Sequence, residues 1–313
     1  SIYGIAKEIG AIFSLPVKQL DLTYTATSNK KVDVKVEATD LCPRYESVVV
    51  ENVKNGESPA WLQKRLTLLD HTPHSLYVDI TNYVLLEVGE PMHAFDLSKI
   101  KGNQIIVRRA KEGEKLLTLD EKEHELTTEN LVIANASEPM VIAGIMGGME
   151  SGTYTTTKDV MLESANFHFA NIRRSCHALG MLSDSSIRYS KGVNIENTEI
   201  GLKRALKLIT KLNAGDISKQ IVDIHGKLPE KRIVESSVTR IDERLGLQIP
   251  AEEMVKILNS LDIATTIDKN NADKLVSTIP CERTDIEREC DICEEVGRIY
   301  GLDKISIDSN SST

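Results

Sequence analysis

Four groups of residues carry side chains and spacings suited to chemistry. Glu163, in MLESANF, closes the apolar run VML, where a carboxylate is costly to bury without a partner. It either meets a basic residue such as Arg173 or faces a pocket, and the spacing leaves both open. His93 follows Pro91 in TNYVLLEVGEPMHAFD, beyond a helix stop, which places it in a loop. A neutral imidazole there either hydrogen-bonds its own loop or positions a water or a substrate hydroxyl. VIAGIMGGMESG holds Gly144, Gly147, Gly148 and Gly152, without the GxGxxG spacing and following helix of a dinucleotide site. These glycines make a tight turn between buried strands or let a ligand approach the backbone. In RTDIERECDICEEVGRIYG, Asp291, Glu294 and Glu295 recur at i, i+3 and i+4, with Asp285 upstream. Such hard oxygen donors suit Mg²⁺; the plainer alternative is a solvated acidic face partly neutralised by Arg288 and Arg298.

The cysteines offer less. Cys42, Cys176, Cys281, Cys290 and Cys293 are odd in number, and no signal peptide precedes them, so a reduced, cytosolic protein is the simplest reading. Cys290 and Cys293 form a CxxC, but no second pair stands at zinc-ribbon spacing.

The elements that must position these groups follow from periodicity. Ile2, Ile5, Ile9 and Ile12 fall at helical spacing from the first residues, with neither an initiator Met nor a cap before them. SIDSNSST trails off at the other end, and the expectation is a piece of a longer polypeptide. Trp61, Leu62, Leu66 and Leu69 mark a second helix. Asp79 is expected to cap a third, with Ile80, Val84 and Val88 on one face and Gly89 as its stop. Strands are expected over 104–108, 131–134, 140–145 and 159–162, and helices near His168 and through Leu202, Leu206, Ile209 and Leu212. Strands and helices mix without strict βα alternation, which points to an α+β fold. DIHGKLPEKRIVE has the composition of a boundary. Behind it, RIDERLG, a helix with Met254, Ile257, Leu258 and Leu261, a hairpin, and a final helix striped by Ile292, Val296 and Ile299 form a small unit.

The composition, 41% hydrophobic and 27% charged over 313 residues, excludes disorder, coiled coil and collagen. The longest strongly apolar run, Pro139 to Met149, is too short for a membrane span. Lys+Arg is 38 against 47 Asp+Glu, a formal charge of −9, which argues against a simple nucleic-acid-coating protein. The charge is unevenly spread. Residues 168–211 hold eight bases against three acids, and residues 281–300 hold seven acids against three bases.

Read together, VDITNYVLLEVGEPMHAFD, RRAKEGEKLLTLDEKEHEL, VIAGIMGG, MLESANFHFANIRRSCHALGMLSDSSIRYSKGVN and IPCERTDIERECDICEEVGRIYGLDKI resemble the central part of the bacterial-type phenylalanyl-tRNA synthetase beta subunit. The resemblance covers nearly the whole chain. It implies the end of an N-terminal region (1–40), a mixed-sheet tRNA-editing domain (41–212), a linker (213–238), a small DNA-binding-like α+β domain (239–305) and a tail (306–313). It further implies a cytoplasmic phenylalanine–tRNA ligase, an α2β2 heterotetramer with an alpha subunit, using ATP and Mg²⁺ and acting on tRNA(Phe). The fragment alone is expected neither to bind ATP nor to charge tRNA. Its editing site is expected to hydrolyse Tyr-tRNA(Phe). Glu163 would read the tyrosine hydroxyl, Ala143 and Gly144 would form a small-residue wall, Thr81, Asn82 and His93 would line the pocket, and Ser185 would supply another small side chain. No Ser or Cys nucleophile is implied. Asp285, Asp291, Glu294 and Glu295 match four carboxylates assigned to a Mg²⁺ shared with the alpha subunit. HTPHSLYVDITN departs from the family pattern, with Thr72 in place of the usual Arg and Leu76 and Tyr77 where Asn and an aliphatic residue are common. An editing-decayed tRNA-docking module and a free-standing nucleic-acid-binding protein are the alternatives.

Overall fold

Residues 1–304 are described in the computed structural model of the chain; residue 305 and the expected tail 306–313 lie outside them. The order is α1 (Ile2–Phe13), β1 (Ala26–Ser28), β2 (Asp33–Val36), β3 (Arg44–Glu51), α2 (Ala60–Thr67) and α3 (Leu76–Val88). Eight strands follow: β4 (Met92–Asp96), β5 (Gln104–Arg109), β6 (Glu114–Leu117), β7 (Glu123–Leu126), β8 (Leu131–Ala134), β9 (Pro139–Ile142), β10 (Met146–Gly147) and β11 (Val160–Asn166). Next come α4 (Phe169–Leu179), α5 (Asp184–Tyr189), α6 (Asn197–Leu212), β12 (Asp216–Ser218), β13 (Val222–His225) and β14 (Arg232–Ser237). The rest is α7 (Val238–Leu245), α8 (Ala251–Ser260), β15 (Ala264–Asp268), β16 (Asn271–Ile279) and α9 (Glu289–Tyr300).

Strands β1, β12, β3, β11 and β4 make one sheet in that order, with β13 also paired to β3; β10, β9, β8, β5 and β2 make a second. β1–β12 and β2–β5 are parallel and the other pairings antiparallel, so both sheets are mixed and the fold is α+β. Side chains alternate across the first sheet. Tyr45, Val49, Met161 and Ala165 enter a core shared with Ile105, Val107, Val132 and Ile142 of the second sheet. Val48, Val50, Val160 and Leu162 enter another, beneath Ile80 and Val84 of α3 and Leu202 and Leu206 of α6. Because β11 is covered on both faces, all seven of its residues are buried, including the polar Glu163 and Ser164.

Two compact units result. One holds residues 1–2 and 20–228, the other residues 3–19 together with 229–304. In the second, β14, β16 and β15 form an antiparallel sheet whose core gathers Ile241, Leu258, Leu275 and Val296. α1 belongs there: Ala11 joins that core, Lys7 Nζ lies 2.8 Å from Asp262, and Arg298 Nη1 lies 2.6 Å from Glu8. Residues 1–40, expected as one stretch, are thus shared between the units. Residues 213–238, expected as a linker, are largely built into sheets as β12, β13 and β14, because β3 has an edge that β12 and β13 fill. No described helix is long and apolar enough to cross a membrane.

One local expectation holds and another changes. Gly89 stops α3 in the left-handed region (φ 85°), as its position suggests. Asp79, however, lies inside the helix rather than at its cap. α3 begins at Leu76 after extended Ser75, and the Asp79 carboxylate accepts the His74 N–H at 2.8 Å and the Ser58 hydroxyl at 2.5 Å.

Candidate functional site

Strand pairing creates the site. His93, expected in a loop, lies on β4, and Glu163, expected at a strand end, lies in the middle of β11; antiparallel register sets them directly opposite. Cross-strand partners share a face. Both line an open cleft with Pro91, Val141, Gly144, Gly147, Phe167, Ser185 and Tyr189. Of the two alternatives for Glu163, the cleft is the one found. Arg173 instead donates to the Ser190 carbonyl at 2.6 Å and lies over the Phe169 ring.

Glu163 is 5% exposed, and the phenol of fully buried Tyr45 donates to its Oε2 at 2.7 Å. Burial pushes the carboxyl up to about 8 despite that hydrogen bond, which acts in the opposite direction. His93 is half-buried as a residue, but its ring is enclosed enough for burial to lower it to about 4. Its Nε2 is 3.4 Å from Ser151 Oγ, which itself donates to the Gly148 carbonyl at 2.8 Å. The hydroxyl proton being so occupied, Ser151 accepts from His93, and the ring's other nitrogen is left as an acceptor. At neutral pH the cleft therefore offers a protonated acid beside a neutral imidazole, not an ion pair.

The walls depend on glycine. Gly144 takes a left-handed conformation (φ 68°), and a Cβ there would stand 2.9 Å from both Phe167 and Tyr189. Those rings meet edge-on, 5.0 Å apart, and the Tyr189 hydroxyl donates to the Ala165 carbonyl at 2.8 Å. Gly147 gives His93 its room, since a Cβ would approach His93 Cε1 to 3.2 Å. Ser185 reaches the cleft from α5, which Ser183 and Ser186 cap reciprocally. Ala143 is buried in the core beside Gly144 and does not line the opening.

Thr81 and Asn82 are elsewhere. They lie on α3, which packs against the opposite face of the sheet, and Thr81 Oγ1 donates to its own helix at Val78 O. The expectation that they line this pocket is corrected by the topology: the sheet stands between. Tyr45, Ser151, Phe167 and Tyr189 are site residues that sequence patterns did not disclose. Nothing in CPRYE links Tyr45 to Glu163 until the β3–β11 register is known.

The acidic helix does not assemble a metal centre. Glu295 is buried and held by Arg283 Nη1 at 2.8 Å and Arg298 Nη2 at 2.6 Å. Arg283 Nη2 also pairs with Asp285 at 2.7 Å. The Asp291 carboxylate accepts the N–H groups of Glu287 and Arg288 at 2.8 Å each, and Glu294 points to solvent. Three of the four expected ligands are thus committed to arginines or backbone. The set as folded does not fit Mg²⁺, which needs free carboxylate oxygens, and among the described residues no His/Cys/Asp/Glu group is arranged to hold a metal. The basic stretch is also more neutral than its sequence: Arg204 pairs with Glu87, Lys207 with Asp21, Lys203 with Glu199 and Arg188 with Asp184.

Residues 41–214 match the B3/4 domain family and residues 234–302 the tRNA synthetase B5 domain. The chain belongs to the B3/4 domain family. Its similar relatives are phenylalanine–tRNA ligase beta subunits. The one from Clostridium acetobutylicum is 42% identical over 308 residues, covering 97% of this chain and 38% of the relative. The Bacillus licheniformis subunit is 38% identical with the same coverage, and that of Bacteroides thetaiotaomicron is 37% identical over 98% of this chain. The chain spans about 38% of the length of these relatives. Among solved structures, an N-terminal fragment of the Pyrococcus horikoshii phenylalanyl-tRNA synthetase beta subunit covers 96% of this chain and is itself covered to 82%, at 18% identity and a TM-score of 0.46.

Proposed function

We propose that this chain is the central part of a cytoplasmic phenylalanine–tRNA ligase beta subunit, and that its cleft hydrolyses Tyr-tRNA(Phe). The whole enzyme, with its alpha subunit in an α2β2 assembly, would use ATP and Mg²⁺ to charge tRNA(Phe) with phenylalanine. The observation that carries the editing reading is a nearly enclosed Glu163, held by Tyr45 and opening on a cleft walled by aromatic rings and glycine.

The chemistry follows from pairing. A synthetic pocket shaped for a phenyl ring cannot strongly reject tyrosine, which only adds a hydroxyl. A second pocket with a buried polar group prefers tyrosine, because phenylalanine leaves that group unpaired. Glu163 supplies the polar group, and Phe167 and Tyr189 supply ring contacts. His93, uncharged at neutral pH, has a lone pair for a water that attacks the aminoacyl ester. A base that weak orients the water more than it stores its proton. No covalent enzyme intermediate is needed, and Cys176 stands at the edge of the core.

Titrating the 313-residue chain with free L-tyrosine and L-phenylalanine, followed by calorimetry, tests the reading. Tyrosine should bind about tenfold more tightly, the worth of one buried hydrogen bond. Glu163→Ala should remove the difference. Equal binding of the two amino acids by the wild-type chain contradicts the proposal.

A further inference from the structure

We propose that Tyr45 is the positioning residue for Glu163: it occupies one carboxyl oxygen and so leaves the other to present the acid's hydrogen to the cleft. This deepens the reading above and rests on it for the nature of the ligand. Tyr45 sits on β3 opposite Ala165 of β11, which makes Glu163 its diagonal cross-strand neighbour on the same face, within reach of a long side chain. The phenol is fully buried, and its 2.7 Å contact with Oε2 has the length of a good O–H···O hydrogen bond. An oxygen already accepting from a phenol is the poorer seat for a second hydrogen. The carboxyl proton therefore resides on Oε1, which has no protein partner among the described residues.

The surroundings make this assignment unusually clean. The titratable groups facing Glu163 are Tyr45 and Cys42 by β3, His93 on β4 and Tyr189 on α5. Burial pushes the thiol and both phenols well above their ordinary values and lowers the imidazole to about 4. All four are neutral at pH 7, so Glu163, at about 8, is the only member that changes charge near neutrality. Glu163 then acts as a hydrogen-bond donor to the oxygen of a hydroxylated ring. Once ionised it becomes an acceptor only, in a site that opposes its charge.

The test is a carbon-13 titration of the δ-carboxyl of Glu163 in the labelled 313-residue chain, with the resonance assigned by Glu163→Gln. Removing the phenol in Tyr45→Phe takes away a hydrogen bond that favours the ionised form, so the midpoint should rise, with the proton held about tenfold more tightly. An unchanged or lowered midpoint overturns the proposal. This readout involves no ligand. A moved midpoint in a chain that ignores tyrosine upholds Tyr45's role and removes the editing reading instead. A second arm does not depend on the Tyr45 variant folding. Glu163→Gln keeps an acceptor for Tyr45 and a donor for the cleft, so its preference for tyrosine should survive within about threefold and persist above pH ~8, where the wild type loses it. Loss of the preference in Glu163→Gln as complete as in Glu163→Ala overturns the donor role.

Discussion

Gly144→Ala is expected to melt about 5–15 °C below the wild-type chain and to lose tyrosine binding. Two costs combine. An L-residue held at φ 68° costs about 1–2 kcal/mol in backbone strain. The new methyl also meets Phe167 and Tyr189 at 2.9 Å and Ile172 at 3.1 Å, in a region with no slack, and overpacking of that kind costs about 1–3 kcal/mol. Relief can come only from moving the two rings that wall the cleft, so stability and binding should fall together. Gly152→Ala is the control: its Cβ meets nothing within 4 Å and its φ is not in the left-handed region. Thermal denaturation of both variants checks the expectation. A Gly144→Ala chain that melts within about 2 °C of wild type would show that the wall has room.

Glu90→Gln should stabilise the chain, and the gain should grow with pH. Glu90 is fully buried against α6, where Gly201 leaves space for its methylenes, and its Oε2 has no hydrogen-bond partner. Burial raises its carboxyl well above 4.5, and nearby Glu46, itself pushed up to about 7 by burial, adds to the effect. Arg44 opposes both shifts, its Nη2 lying 2.5 Å from Glu46 Oε1 without the alignment of a hydrogen bond. The sign follows from proton counting. Above the ordinary Glu value the unfolded chain has released this proton while the folded chain retains it, so wild-type stability falls as pH rises. The loss is about 1.4 kcal/mol per pH unit until the folded carboxyl itself ionises. Glutamine removes the dependence and keeps the acceptor for Ser164 Oγ. Urea unfolding of both chains between pH ~5 and ~8 measures it. A difference that stays flat with pH, or shrinks as pH rises, contradicts the burial account.

What could be read from the sequence was whatever is decided locally. Gly89 ends α3 because a helix stop is a property of one residue's φ, and Ile292 and Val296 are buried because helical period alone assigns their face. The acidic helix shows the limit of that logic. Spacing grouped Asp291, Glu294 and Glu295, but only the positions of Arg283 and Arg298 decide that Glu295 turns inward to an ion-pair network while Glu294 stays in water. The cleft is less local still. That Glu163 and His93 face each other is set by strands about 70 residues apart in sequence, and a shift of one residue in that pairing would leave the two on opposite faces of the sheet. Thr81 and Asn82 failed for the same reason, since a motif running from α3 through β4 crosses from one face of the sheet to the other.

The most direct test of the proposed editing activity is deacylation of preformed Tyr-tRNA(Phe) by the full-length protein in its proposed α2β2 assembly. The wild-type enzyme should hydrolyse it well above the spontaneous rate while sparing Phe-tRNA(Phe), and Glu163→Ala should lose that discrimination by about tenfold or more. Wild-type hydrolysis of Tyr-tRNA(Phe) no faster than buffer would contradict the account and leave this chain a tRNA-docking module whose cleft no longer edits.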